Sequence, residues 1–102
     1  METGKRFADS VETQKFVYHP ADGSVSLSLT NIEFRFGLTG ERPLLIGAHY
    51  DTRPRADEDP EFNNRGQPVL GANDGGSGTA VLLGLAHALK RKPPPHPVSL
   101  VF

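Results

Sequence analysis

Two short motifs hold the residues whose types and spacing could do chemistry. The first is HYDT at residues 49–52, which follows the apolar run 44–48, and the second is GANDGGSG at residues 71–78, which opens a strongly apolar segment. Imidazole nitrogen and carboxylate oxygen are ligands that Zn²⁺ accepts at catalytic sites. Because both motifs lie where an α/β fold brings the ends of neighbouring elements to one sheet edge, His49 and Asp74 are expected to converge on one cation.

Asp51 is the candidate catalytic residue beside this pair. Positions two apart on an extended strand face the same side, so Asp51 could accept a hydrogen bond from the ring nitrogen of His49 that does not bind metal. A simpler interpretation also fits: His49 ends a strand, Asp51 starts an Asx-turn, and Asp74 or Ser77 caps a helix. Single motifs of this kind often match by chance, and the combination of both favours the metal site.

The glycines and the acidic loop admit two other kinds of site. A glycine-rich turn before a helix can bind phosphate, but no lysine follows these glycines, and Val81 stands where a dinucleotide fingerprint has its third glycine. The loop could also be interpreted as a calcium site, but it lacks the glycine and the distal glutamate of an EF-hand loop. We therefore expect a solvated acidic stretch in the loop. Its acidic residues are Asp57, Glu58, Asp59 and Glu61.

The elements that must position these motifs are indicated by hydrophobic periodicity. Loose alternation predicts two strands before the motifs, the second with a kink near residues 30–31, and the continuous apolar runs before and after the motifs predict strands covered on both faces. Residues 79–89 are apolar nearly all round, which predicts a buried helix ended by Pro93. The predicted strands span residues 11–19, 25–36, 44–48 and 98–102, with turns at 20–23 and 37–42 and a long loop at 51–71.

These elements predict an α/β fold, a three-layer sandwich with a mixed, largely parallel sheet, of which this chain forms part. The unit from residue 44 to residue 102 is strand, loop, helix, strand, which is typical of a right-handed parallel crossover. The two earlier strands are expected to form a meander at the edge of the sheet.

Composition limits the class of protein. With 102 residues, the chain has room for at most one small domain. It contains no cysteine, so it has no thiolate metal site. Its formal charge is -1. Without a basic excess, nucleic acid and anionic membranes are not expected partners. Residues 1–6 do not have the pattern of a signal peptide, and no segment approaches the ~20 apolar residues of a membrane-spanning helix. The localisation stays open.

The two motifs resemble those of the zinc-dependent aminopeptidases with a two-metal centre and of the glutaminyl cyclases built on the same fold. The similarity covers about residues 31–102, and DTRP at residues 51–54 looks most like the bacterial cyclase-like branch. The resemblance implies that His49 is a zinc ligand and that Asp51 is its hydrogen-bond partner. It also implies that Asp74 bridges two metal ions, or binds the single ion of the cyclases.

The same resemblance implies an activity and a longer domain. In the family, a glutamate pair and later an aspartate and a histidine ligand follow the strand that corresponds to residues 98–102. Residues 1–102 are therefore expected to be the N-terminal portion of a catalytic domain that hydrolyses N-terminal peptide bonds with one or two zinc ions, and to be inactive alone. The alternatives are cyclisation of N-terminal glutamine and a non-catalytic binding module. Peptide N-termini are the expected partners, and self-association through an exposed sheet edge is a further expectation.

Overall fold

The computed structural model describes residues 8–37 and 40–102 of the chain. The predicted turn at residues 37–42 includes two residues, 38 and 39, that lie outside this description, and so does the N-terminal stretch examined for a signal peptide. The described residues form four strands, one helix and one short 3-10 turn. Their bounds are β1 Ser10–Tyr18, β2 Leu27–Phe36, β3 Leu44–Gly47, the 3-10 turn Phe62–Asn64, α1 Gly76–Arg91 and β4 Val98–Val101.

The four strands form one mixed sheet in the order β1-β2-β4-β3. β1 pairs antiparallel with β2, and β2 pairs antiparallel with β4. β3 and β4 are parallel neighbours joined through α1, as the strand–loop–helix–strand pattern predicts. The α/β class and the mixed sheet are confirmed, and the parallel part of the sheet within the described residues is this single pair.

The register of β1 and β2 corrects one sequence expectation. Pairing runs without interruption from Ser10 opposite Arg35 to Tyr18 opposite Leu27, so the kink expected near residues 30–31 is not needed. Instead, alternation in one regular strand sends the apolar residues to two faces. Phe34 and Phe36 are buried, whereas Leu29 is 38% exposed.

The core lies between one face of the sheet and α1. Its centre is formed by Phe34, Leu100 and Ala86, each at most 1% exposed. The ring of Phe34 lies 4.9 Å from the ring of Phe102, in a tilted arrangement that suits the charge distribution of two aromatic rings. The strand β4 is thereby held at the centre of the sheet, with its carboxyl end beside that of β3.

One burial expectation was wrong. The helix α1 is not buried all round, because it packs on the sheet through Leu82 and Ala86 and leaves Val81 68% exposed on another side. β3 lies at the edge of the sheet and its Leu45 is 66% exposed, as expected of an apolar strand that further elements of a longer domain would cover. An apolar run alone does not tell which element covers it, and within the described residues no element covers these faces.

Candidate metal centre

His49 is positioned by the edge where β3 and β4 end. The backbone N–H of Ala48 donates to the carbonyl of Val101 at 3.0 Å, which extends the parallel pairing to the residue before His49. The hydroxyl of Tyr50 donates to the carbonyl of Thr30 at 2.8 Å and ties the chain after His49 to β2. The backbone on both sides of His49 is therefore fixed before its side chain makes any contact.

Both nitrogens of the His49 ring face oxygen atoms. Nδ1 lies 3.2 Å from the backbone oxygen of Asp51 and 3.3 Å from its Oδ1, and Nε2 lies 3.0 Å from Oδ1 of Asp74. The three residues named from the sequence are thus brought together around one imidazole. All three side chains are accessible, with 59% of His49, 81% of Asp51 and 69% of Asp74 exposed.

The start of α1 decides between the two interpretations of Asp74. The N-cap of the helix is Gly75, and no side chain caps it by a hydrogen bond. Ser77 does not cap the helix either, because its hydroxyl donates to the carbonyl of Asn73 at 2.6 Å. The carboxylate of Asp74 faces His49 instead of the first turn, so the capping interpretation is wrong.

The glycines bring the two motifs into contact. Gly75, which follows Asp74 through a cis peptide bond, is buried against His49, and a Cβ there would lie 2.6 Å from the His49 carbonyl oxygen and 2.7 Å from Nδ1. Gly71 has φ +71°, and a Cβ on it would overlap with the methyl group of Thr52. Close approach of backbone and side chain, together with this positive φ, therefore explains why these positions hold glycine.

The phosphate interpretation fails on hydrogen bonding. The N–H groups of Gly76 and Ser77 donate to the carbonyls of Gly71 at 2.8 Å and Asn73 at 3.1 Å. A phosphate at a helix N-terminus is bound by such N–H groups, and here they are already used. The glycine-rich segment folds back on itself and presents Asp74.

An arginine in the acidic loop pairs with two of the carboxylates of the loop. Nη1 of Arg53 lies 3.0 Å from Oδ1 of Asp57 and 3.3 Å from Oε1 of Glu58. These contacts, the hydrogen bond with Asp57 first, raise the pKa of Arg53 above its ordinary value. Oδ1 of Asp59 accepts the backbone N–H of Glu61 at 2.8 Å. The described contacts of the loop are local and exposed, as expected for a solvated acidic stretch.

Thr79 is a site residue that sequence reasoning missed. Its hydroxyl lies 3.2 Å from the carbonyl of His49 and 2.9 Å from that of Gly75, and so links the segments that present His49 and Asp74. Little in the sequence indicates this role, because a threonine hydroxyl in the first turn of a helix commonly forms a hydrogen bond within its own helix. The contact to His49 depends on a residue thirty positions earlier in the chain.

The pair of His49 and Asp74 suits a zinc ion but is not a complete set of ligands. Zinc–nitrogen and zinc–oxygen distances are about 2.0–2.2 Å, so two donors 3.0 Å apart can contact the same ion. Within residues 8–37 and 40–102, no group of three or more histidine, aspartate or glutamate side chains could hold a metal ion. A usual catalytic zinc site has three protein ligands, so this chain supplies two of them at most in the arrangement described.

Comparisons with known proteins place the two motifs in a family. The sequence model of peptidase family M28 matches residues 31–102. A search of curated proteins found no significant match. Among the helices that the structure describes, none is long and apolar enough to cross a membrane.

Solved structures are similar to nearly the whole chain. A leucine aminopeptidase precursor from Bacteroides thetaiotaomicron is 32% identical with a TM-score of 0.90, and the match covers 99% of this chain and 34% of that one. A zinc-dependent exopeptidase from Parabacteroides distasonis is 34% identical with a TM-score of 0.89, again over 99% and 34%. A glutaminyl cyclase from Tannerella forsythia is 35% identical with a TM-score of 0.88, over the same shares.

The chain spans about a third of the length of these structures. The matches confirm the resemblance that the two motifs predicted, and they confirm the α/β fold.

Proposed function

We propose, because this chain belongs to peptidase family M28, that His49 and Asp74 are ligands in the catalytic centre of a zinc exopeptidase domain. The residues of this chain form one side of that centre. Residues outside residues 8–37 and 40–102 would supply the remaining ligands and the general base. Residues 1–102 are then the N-terminal portion of the catalytic domain, as the resemblance implied.

The observation that supports a metal most strongly is the surroundings of the imidazole ring. A neutral imidazole has one N–H, whereas both ring nitrogens of His49 face oxygen acceptors, Nδ1 those of Asp51 and Nε2 Oδ1 of Asp74 at 3.0 Å. Whichever nitrogen carries the hydrogen, the other presents a lone pair to an oxygen, which is a repulsive contact between two acceptors. Either a second proton on His49 or a cation between Nε2 and Asp74 relieves it. A zinc ion does so with the ligand types that it prefers.

Asp51 would act on the reaction through His49. By accepting the Nδ1 hydrogen it would leave the lone pair of Nε2 available to the metal and would fix the ring plane. Its carboxylate lies on the far side of the ring from Asp74, so it is proposed as a positioning residue. Removing such a partner typically costs about 10–100-fold in metal affinity.

The proposed reaction is hydrolysis at the N-terminus of a peptide. Zinc, when bound, supplies a polarised carbonyl and an activated water. The residues of this chain would hold the ion through Nε2 of His49 and Oδ1 of Asp74 and would keep the imidazole in one tautomer through Asp51.

A second candidate reaction is cyclisation of N-terminal glutamine. It is favoured by the similarity to the glutaminyl cyclase from Tannerella forsythia, whose 35% identity is close to the 32% of the leucine aminopeptidase precursor. In this reaction the amine of the substrate replaces water as the nucleophile, so both reactions use the same ligands. A third possibility, a non-catalytic module, predicts no role for the ligands at all.

Zinc binding measured by titration calorimetry tests the proposal. The 102-residue chain should bind zinc weakly, since it presents two ligands, and His49→Ala and Asp74→Asn should each abolish the measurable binding. His96→Ala is the matched control, because His96 is another exposed histidine, bonded to the carbonyl of Arg42 and remote in sequence from both motifs. Binding that is unchanged in both ligand variants, or lost in the control, would overturn the proposal.

Turnover tests whether the residues of this chain are sufficient for either reaction. The chain alone should release no product from an aminoacyl chromogenic substrate and should not cyclise a glutaminyl peptide. Hydrolysis or cyclisation that survives repurification and disappears in Asp74→Asn would show that 102 residues are sufficient for catalysis.

A further inference from the structure

The strand β1 forms one edge of the sheet, and its outer side has no partner among the described residues. It is the first strand in the order β1-β2-β4-β3 and pairs with β2 alone. In an antiparallel pair, successive residues direct their backbone N–H and C=O groups alternately towards the neighbouring strand and away from it. Such a row of outward-pointing groups is a template for another strand. We propose that β1 pairs with β1 of a second copy of this chain.

β1 lacks most of the features that prevent edge pairing. Proteins protect edge strands by shortness, proline, bulges and charged side chains, above all lysine. β1 has nine residues and no proline, and its register with β2 pairs every residue from Ser10 to Tyr18 without a bulge. Glu12 and Lys15 are the charged residues of the strand. A long, regular edge of this kind favours pairing between chains.

The end of β1 nearest the turn is apolar and exposed, which indicates the kind of partner. Phe16, Val17 and Tyr18 are 41%, 54% and 51% exposed. Because successive side chains of a strand point to opposite faces of the sheet, these three lie on both faces. A further strand alongside β1 would cover both faces at once, whereas a partner that packs on one face of the sheet would cover one set alone.

The sequence of β1 fits pairing with itself in one full-length register. A two-fold axis perpendicular to the sheet relates the copies, so the strands are antiparallel and residues on the same face lie opposite each other. With the axis at Gln14, all nine residues pair, Val11 lies opposite Val17 of the second copy, and no like charges meet. An axis at Glu12 or Lys15 would place like charges directly opposite each other, which destabilises a strand pair. Any axis other than Gln14 also leaves residues of the strand unpaired.

Pairing through β1 is separate from the candidate metal centre. β1 and β3 are opposite edges of the sheet, and His49 follows the end of β3. Two copies joined at β1 would therefore form one continuous sheet with a β3 strand at each end and both metal pairs far from the contact. The proposal does not depend on the proposed function, and association through the β3 edge would be a different assembly.

Disulfide cross-linking tests the pairing and its register. The chain contains no cysteine, so a single introduced cysteine can cross-link two copies but cannot form a disulfide within one copy. In Gln14→Cys the two cysteines would lie directly opposite each other, within about 5.5 Å, and mild oxidation should convert most of the chain to a covalent dimer. Ser10→Cys is the matched control, because Ser10 is exposed on the same face of β1 but lies eight residues, about 26 Å, from its counterpart along the paired strands.

The outcome of the cross-linking distinguishes the two edges of the sheet. Association through β3 would hold the β1 strands at opposite ends of the assembly and would cross-link neither variant. Absence of cross-linking in Gln14→Cys, or equal cross-linking of Gln14→Cys and Ser10→Cys, would overturn the proposal.

Sedimentation equilibrium of two charge variants provides a second test without cysteine. In the proposed register Thr13 lies opposite Lys15 of the second copy, twice by symmetry, and its side chain is exposed. Thr13→Glu should lower the dissociation constant of the dimer about threefold or more, and Thr13→Lys should raise it by a similar factor. Loss of folding cannot produce opposite effects in the two variants. An unsubstituted chain that is monomeric at every concentration, or a change in the same direction in both variants, would overturn the proposal.

A peptide competition distinguishes a second copy from another extended partner. A synthetic peptide with the sequence of residues 10–18 should dissociate the dimer, whereas a scrambled peptide of the same composition should not. Equal effects of the two peptides would show an edge that accepts any extended segment and would overturn specific pairing of two copies.

Discussion

Replacing Gly75 by alanine tests whether contact between the two motifs sets the geometry of His49. The added Cβ would lie 2.6 Å from the His49 carbonyl oxygen, whereas ordinary contacts begin at 3.4 Å, so these atoms must separate by about 0.8 Å. The carbonyl is backbone and accepts the Thr79 hydroxyl, so it cannot swing aside as a side chain could. The same Cβ would lie 2.8 Å from Cε1 of the His49 ring and would push the ring as well.

The expected effect of Gly75→Ala has two parts. Overpacking of this kind lowers the free energy of unfolding by about 1–3 kcal/mol. A displacement of roughly 0.8 Å, large against the 3.0 Å between Nε2 and Oδ1 of Asp74, should also reduce zinc affinity about tenfold or more. Urea unfolding measures the first effect and titration calorimetry the second.

Gly84→Ala is the matched control, because Gly84 lies within α1 and a Cβ there meets nothing within 4 Å. It should raise the free energy of unfolding by about 0.5–1 kcal/mol, since alanine favours a helix more than glycine does, and it should leave zinc affinity unchanged. The reasoning is refuted if Gly75→Ala matches the unsubstituted chain in both stability and zinc affinity.

Three further outcomes follow from the described contacts. Thr79→Val should weaken zinc binding by several-fold in titration calorimetry, because the Thr79 hydroxyl links the segments that present His49 and Asp74. Thr79→Ser keeps the hydroxyl and should bind zinc like the unsubstituted chain. Equal zinc affinities of the unsubstituted chain and both variants would contradict this link. The Gly37 N–H and then the Lys90 ammonium lower the pKa of Asp9, so the stability from this carboxylate is present above its unfolded pKa and is lost as pH falls below about 4. Acid unfolding of Asp9→Asn should lack that loss, worth at most about 1 kcal/mol for so exposed a group, and identical acid profiles would refute the assignment. The open edge of β3 should make the chain self-associate, so light scattering should show a mass that rises with concentration and falls in Leu45→Lys, and a monomer at every concentration would exclude it.

The sequence predicted the elements because they depend on local patterns. Alternation in β2, the apolar runs of β3 and β4, and the helix after the glycines all lie within two to three residues of their predicted bounds. His49 and Asp74 were identified by residue type and by the order of the motifs, and the structure brings them to 3.0 Å.

What the sequence did not predict depends on contacts between distant segments. The apolar residues of α1 indicated a buried helix, but which side of a helix is covered depends on the element packed against it, and here Leu82 and Ala86 face the sheet while Val81 does not. The kink expected in β2 arose from assigning every apolar residue to one core. The role of Thr79 was invisible for the same reason, since its partner His49 is remote in the chain.

The central claim is that Nε2 of His49 and the carboxylate of Asp74 share one zinc ion while Nδ1 donates to Asp51. The most direct test is a zinc titration of the chain with ¹⁵N-labelled histidine, observed at the imidazole nitrogens by NMR. Zinc is expected to shift the Nε2 signal of His49 while Nδ1 keeps its hydrogen, and Asp74→Asn is expected to weaken the effect. Shifts confined to His19, His87 or His96, or an unaltered His49 signal at saturating zinc, would contradict it.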